Sequence, residues 1–292
     1  MILNISGRTD IVAFYTDWFI KRYEEGYIDV RNPFYPKSIS RITFDKVDAI
    51  VFCTKNPLPI IPYLKRITQP IIFHVTITPY HKDIEPNVID KKKIINGVKQ
   101  LSKILGKENI YVRYDPILLN KRYTVEYHLK AFDKIVNLLD GYVNHMIISF
   151  IDEYKNVRNH QNELNLKMPT EEDYQKIGIS FAKSAKDHHM TVQTCYEKKN
   201  LVEYGFLDDV CISKQLAYQL TGKKMKEWKA RNCHCVEMAD IGQYNTCPHL
   251  CKYCYANYDE QQIKENLKNH DQNSSLLIGR IQKDDIIKTR KS

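Results

Sequence analysis

The sequence predicts an α/β protein built as a single (β/α) barrel of the TIM type, partial or complete, spanning residues 1–292. Three observations carry this. Short apolar runs rich in β-branched and aromatic residues recur with amphipathic stretches between them, the pattern of alternating strand and helix. The runs are apolar on both faces, as strands of a buried parallel sheet are. The length and the 43% apolar content fit one such barrel, with no glycine- or serine-rich linker, low-complexity tract or clear internal repeat to divide it.

Taken in order, the first run is ILNIS (2–6), followed by an amphipathic stretch at 11–25 that Thr9 or Asp10 is placed to cap. AIVFC (49–53) leads into a helical pattern at 57–68, IIFHVTI (71–77) into 88–105, and IYVRY (110–114) into 124–140. HMIISF (145–150) precedes the stretch 170–189, which Thr170 and Asp173 open as a capping box. TVQTC (191–195) is the sixth run. Each strand–helix–strand connection is expected to be right-handed. The tail KDDIIKTRKS reads as a mobile end.

Each run turns polar where it ends. The clusters are Ser6 to Asp10, Thr54 to Asn56, Thr76 with Thr78, Arg113 with Asp115, Ser149 with Asp152 and Glu153, and Gln193 with Glu197. In a parallel αβ barrel these ends share one rim, and that rim carries the active site. A single polar loop means little, but six at equivalent positions read as a binding face.

The chain carries 44 Lys and Arg against 35 Asp and Glu, a formal charge of +9, spread over 91–107, 198–231 and 283–291. A solvated lysine-rich surface accounts for it, and a nucleic-acid partner is compatible with it. No segment has the length of a membrane span or the form of a secretion signal, so a cytoplasmic location without a membrane partner is expected.

Five of the eight cysteines fall between residues 233 and 254, and such clustering favours metal over disulfides. The run CPHLCKYC places Cys247, Cys251 and Cys254 in a C-x3-C-x2-C spacing, with Tyr253 before the last cysteine. Three thiolates from one tight loop leave one iron of a [4Fe–4S] cube open. A structural zinc site is the alternative, although zinc usually takes two C-x2-C knuckles, whereas the upstream pair Cys233 and Cys235 is C-x-C.

At these residues the chain resembles the radical S-adenosylmethionine superfamily, with Cys247, Cys251 and Cys254 at the cluster positions and Tyr253 at the aromatic one. From ISGRTD through TKNP, FHVTITPY, RYDPI and SFIDEY to DIGQYNTCPHLCKYCYAN it also resembles a group of bacterial proteins of unknown function with a C-terminal cysteine cluster, itself distantly similar to spore photoproduct lyase. The resemblance implies reductive cleavage of S-adenosylmethionine to a 5′-deoxyadenosyl radical, hydrogen abstraction from an unidentified substrate, and an electron donor such as flavodoxin or ferredoxin.

In that superfamily the cysteine loop generally follows the first strand, so its place near the C-terminus here implies a permuted strand order. VEMADIGQY (236–244) is then the strand feeding the loop, 258–269 the helix leaving it, and ILNIS the spatial neighbour. Ser6, Gly7 and Arg8 fall where relatives contact the cofactor's methionine amine, and a plain strand-to-helix turn is the other reading of them. Arg113 and Asp115 share a strand face suited to a ribose or substrate contact or to a structural ion pair, and Tyr253 is expected near the adenine. Cys195, Cys211, Cys233 and Cys235 would supply four thiolates for an auxiliary [4Fe–4S] cluster, with an ordinary buried thiol the other reading of Cys195. Cys53 reads as core, and none of the histidines as a metal ligand. Two rival functions remain: a zinc-stabilised nucleic-acid-binding protein, and a radical enzyme acting on DNA or RNA. A degenerate barrel that keeps its cluster for structure or electron transfer is a third.

Overall fold

The computed structural model describes residues 1–195, 197, 199–228 and 233–290. In chain order the elements are β1 (Ile2–Ile5), α1 (Ile11–Phe14), α2 (Thr16–Glu25), β2 (Tyr27–Arg31), β3 (Ser38–Thr43), β4 (Ala49–Thr54), β5 (Ile71–Thr76), α3 (Lys91–Leu105), β6 (Ile110–Ile117), α4 (Val125–Leu139) and β7 (His145–Phe150). They continue with α5 (Lys155–Asn159), α6 (Gln161–Leu164), α7 (Glu171–Asp187), β8 (Thr191–Thr194), α8 (Lys214–Thr221), β9 (Met238–Asp240), α9 (Glu260–Lys268) and β10 (Ile286–Thr289). No helix among the described residues is long and apolar enough to cross a membrane.

The fold is mixed α/β around a seven-stranded parallel sheet in the order β8-β7-β6-β5-β4-β1-β9. From β1 to β8 the sheet grows in one direction, each strand beside its predecessor in the sheet. The last strand, β9, returns to the outside of β1, with Ile2 level with Met238 and Asn4 with Asp240. That is the neighbour relation expected of a permuted order. Of the stretch 236–244, only Met238–Asp240 is strand, because Gly242 and the turn after it leave the ladder.

Both faces of the sheet are covered. Leu3, Ile5, Phe52, Phe73, Val75, Val112, Tyr114 and Ile148 point into the main core, where α3, α4 and α7 add Ile94, Val98, Phe132, Val136 and Phe181. Ile2, Ala49, Val51, Ile72, Tyr111 and Ile147 face the other way, against Cys211, Ile212, Ala217, Cys235 and Val236. The segments around Cys211–Ala217 and Cys235–Val236 therefore lie across the second face. Burial on both sides explains why the strand runs read as continuously apolar.

Local signals set the helix starts. The Asp90 side chain accepts from Lys92 N at 2.7 Å, Thr124 Oγ1 from Tyr127 N at 3.2 Å, and Thr170 with Asp173 forms the expected capping box. Three expectations need correction. The 11–25 stretch breaks at Tyr15, whose φ of −134° lies outside the helical range, giving α1 and α2. The 57–68 stretch is a 3₁₀ helix over Leu58–Arg66, since Pro57, Pro59 and Pro62 lack the N–H groups that an α-helix needs. The tail is not a loose end: β10 pairs in parallel with β3 in a second sheet of order β10-β3-β2, and Arg31 grips Asp285 at 2.6 and 2.7 Å.

Candidate metal centre

Because the seven strands run parallel, their C-terminal ends share one edge, and the polar clusters at those ends meet there. Asp240, at the end of β9, is a hub. Its carboxylate accepts from Ser6 Oγ at 2.8 Å, Gly7 N at 2.7 Å, Arg8 Nε at 3.2 Å and Gly242 N at 2.7 Å. The approach is so close that a Cβ on Gly7 would meet Asp240 Oδ2 at 2.9 Å and Tyr255 Oη at 3.3 Å, and one on Gly242 would collide with Ser6 Oγ. Ser6, Gly7 and Arg8, read from sequence as cofactor contacts, are thus engaged with the strand that feeds the cysteine loop.

Asp10 ties that loop to the rim. It caps α1 through Ala13 N at 2.9 Å, accepts from Thr54 Oγ1 and Lys55 N at 2.7 Å each, and bonds His249 Nε2 at 3.0 Å. His249 lies between Cys247 and Cys251 and is buried, with its Nδ1 atom lacking a hydrogen-bond partner among the described residues.

Asparagine side chains hold the cysteine loop by its backbone. Asn257 Nδ2 donates to Cys247 O at 2.6 Å, Asn266 Nδ2 to Asn245 O at 2.9 Å, and Asn156 Nδ2 to Cys251 O and Lys252 O at 3.2 and 3.1 Å. Asn245 and Leu250 adopt left-handed φ values of 55° each, which tightens the chain around the sulfurs. Asn87 N and Lys252 N complete the frame through His249 O and Ile84 O. Groups from outside the loop thus bond the carbonyls of Cys247, Pro248, His249, Cys251 and Lys252, which fixes much of its backbone.

The donor set fits a thiolate-bound group. Burial pushes the Cys247, Cys251 and Cys254 thiols up from their ordinary range, and each of the first two is raised further by its cysteine neighbours. Backbone N–H groups of His249 for Cys247, and of Ala256 and Asn257 for Cys254, oppose this by bonding the sulfurs, as they would bond a ligated thiolate. Among the described residues no three His, Cys, Asp or Glu side chains are grouped so as to hold a metal ion as they stand. A single zinc draws its sulfurs to within ~2.3 Å of one point, whereas a cubane spreads its thiolates over separate irons.

Beside the tripod lies a buried charge network. Tyr253 Oη donates to Glu85, which also accepts from Thr78 Oγ1 at 2.6 Å, from Lys55 Nζ at 2.8 Å and from Lys91. Burial alone would raise the Glu85 carboxyl, but Lys55 and Lys91 overcome it and hold the group well below the usual carboxylate range. Lys55 also stands over the Tyr253 ring, 5.6 Å from its centroid. A cleft of about 200 Å³ opens next to the loop, lined by Asn156, His160, Leu250, Cys251, Asn257 and Tyr258.

Arg113 and Asp115 form a close ion pair, with Ser149 Oγ donating to Asp115 at 2.5 Å. Arg113 also donates to Cys211 Sγ at 3.2 Å. Cys211 Sγ stands 2.8 Å from Cys195 Sγ and is bonded by Cys235 as well. Cys233 and Cys53 pack against the same inner-face cluster. The structure therefore brings Cys195, Cys211 and Cys235 together with Cys233 packed against the same cluster, and sets Arg113 beside Cys211 rather than beside the tripod. Glu197, at the end of β8, accepts from Phe150 N at 2.6 Å, and its carboxyl is pushed up to about 8 by burial, with Asp152 and Asp115 adding to the shift.

Sequence reasoning missed Glu85 and the role of Asp240. Glu85 stands in a long aperiodic connection with nothing local to mark it. Asp240 had a faint signal, an acid ending a strand two residues before a glycine.

A model of the family described as a domain of unknown function (DUF1848) matches residues 2–256. No curated protein matches the chain. The match covers all seven strands of the parallel sheet and the whole cysteine tripod, so the chain belongs to the DUF1848 family.

Proposed function

We propose that this member of the DUF1848 family is an iron–sulfur enzyme of the radical S-adenosylmethionine type, acting on an unidentified substrate, with the sheet as a partial, permuted (β/α) barrel. One observation carries the reading. The strand that precedes the Cys247–Cys254 loop lies parallel to β1 and directly beside it, so the tripod stands at the C-terminal edge of the sheet, the edge on which a (β/α) barrel would carry its chemistry. A doubly wound sheet would instead reverse its strand order near the middle.

Cys247, Cys251 and Cys254 would hold a [4Fe–4S] cluster, which when bound would supply the chemistry of reductive S-adenosylmethionine cleavage. The chain's own part is to position and shield. The asparagine frame fixes the loop before any ligand arrives. The Glu85 network holds Tyr253 beside the tripod; burial and the Glu85 carboxylate push the Cys251 thiol up, and Lys55 and Lys91 oppose them in part. The Arg113–Asp115 pair, which Ser149 also bonds, belongs to the second cysteine group and is given no part in this reading. An electron donor such as flavodoxin or ferredoxin would approach at the cleft lined by Cys251.

The test is anaerobic reconstitution with iron and sulfide, reduction, and chromatography for 5′-deoxyadenosine. Product is expected from the wild-type chain and none from Cys251→Ala. A colourless chain that binds zinc at the tripod and releases no 5′-deoxyadenosine would sink the reading.

A further inference from the structure

From the arrangement of thiols on the second face of the sheet we infer that Cys195, Cys211, Cys233 and Cys235 form a second metal site, which takes a thiophilic metal and staples the segments around Cys211 and Cys235 to that face. The site is independent of the tripod and of the radical chemistry proposed there. Its thiols come from three separate places: Cys195 just beyond β8, Cys211 in the turn before α8, and the Cys233/Cys235 pair ahead of β9.

Cys195 Sγ and Cys211 Sγ are 2.8 Å apart, Cys235 lies close enough to Cys211 to act on its thiol, and Cys233 packs against the same cluster. A metal ligand must lose its proton, and the resulting thiolates repel one another toward the wider spacing that a shared metal requires. Arg113 donates to Cys211 Sγ at 3.2 Å, so a cation already faces the sulfurs. Cys53, although near, is engaged with Asn4 Oδ1 at 3.4 Å and is not needed as a ligand.

Two further side chains point to a missing acceptor. His74 and Gln193 stand on the same sheet face, each 3% exposed, and the Nε2 atom of each lacks a hydrogen-bond partner among the described residues. His74 is close enough to Arg113 for the cation to help hold its imidazole neutral, after burial as the larger cause. Metal-bound sulfur accepts N–H bonds and would satisfy such donors.

Among the described residues from 207 to 236 the regular structure is α8, eight residues long, and the β-contacts are single bridges, Gln193 with Leu207 and Glu227 with Val236. Segments with so small a core of their own are commonly held by metal or disulfide. Zinc and an iron–sulfur cluster share this tetrathiolate chemistry, and loading with each separates them.

The experiment uses the full chain with the tripod removed by Cys247→Ala, Cys251→Ala and Cys254→Ala, incubated anaerobically with zinc or with iron and sulfide, desalted and analysed for metal. We expect about one zinc or about four irons per chain to be retained. Adding Cys211→Ser and Cys235→Ser should reduce this at least tenfold, while adding Cys53→Ser should leave it unchanged. In the loaded tripod-free chain, a chelator should speed tryptic cleavage at Lys214 and Lys223 to Lys226 by tenfold or more, without the loss of far-ultraviolet dichroism that unfolding would bring. If the tripod-free chain emerges without metal from both incubations, the proposal falls. It falls equally if the serine variants retain the metal. Failure of the wild type to make 5′-deoxyadenosine would count against the tripod reading alone.

Discussion

The two groups of cysteines are built on opposite plans. The tripod comes from eight consecutive residues, and its loop is held by asparagine side chains that bond carbonyls, which fixes much of its backbone. The inner-face group draws on segments up to forty residues apart in sequence, and its sulfurs hold each other. A preformed loop can accept and release a reactive group without refolding, whereas thiols assembled by tertiary packing tie their metal to the folding of the segment they fasten. The flanking charges differ too. Glu85 serves two lysines and a tyrosine beside the tripod, while Arg113 and Asp115 largely neutralise one another beside the second group.

The largest expected effect is at Glu85. Replacing it with alanine leaves Lys55 and Lys91 in a buried site without their carboxylate, so Glu85→Ala should lower stability by about 4 kcal/mol in urea titrations. Glu85→Gln, which keeps the hydrogen bonds to Thr78 and Tyr253 but not the charge, should cost less. A loss under ~1 kcal/mol for the alanine variant would show that the tripod flank is solvated and would erase the contrast with the Arg113 side.

Next comes Asp240, which joins the cysteine loop's feeding strand to the turn after β1. Asp240→Ala strips partners from Ser6, Arg8 and the Gly7 and Gly242 amides, and should cost about 3 kcal/mol. Because the asparagine frame is untouched, the variant should still bind metal at the tripod once folded. Loss of tripod binding in folded Asp240→Ala would mean that the loop is not self-supporting.

The smallest effect expected is the pH response of Glu197 on the inner-face side. Its native carboxyl titrates at about 8, above the ordinary glutamate range, so the folded state holds a proton that the unfolded chain has already lost. Stability is therefore fully present at acid pH and declines as pH rises from the ordinary glutamate range through about 8. Glu197→Gln should flatten that decline in pH-dependent thermal melts. An identical slope in the two proteins would remove Glu197 as its cause.

Much of the frame was legible from residues alone, and the reasons are local. Each of the six apolar runs became a strand of the parallel sheet, because burial on both faces leaves an unbroken hydrophobic signature, and Thr170 with Asp173 opened α7 as the capping chemistry requires. The prolines at 57, 59 and 62 were visible and should have argued against an α-helix there. The tail was misread because Ile286–Thr289 is exposed at every position, so no alternation marks it as a strand, and only its pairing with β3 makes it one.

By itself the sequence puts Cys247, Cys251 and Cys254 within eight residues, which limits how far their sulfurs can separate, and the superfamily resemblance implied that the strand before them lies beside β1, where β9 pairs. Tertiary structure alone decided that Cys195, Cys211 and Cys235 meet, that Arg113 faces them, and that Glu85 reaches Tyr253 across 168 positions of chain. Contacts at such separation depend on how the strands stack and which loop crosses the sheet, and no local pattern of residues encodes that geometry.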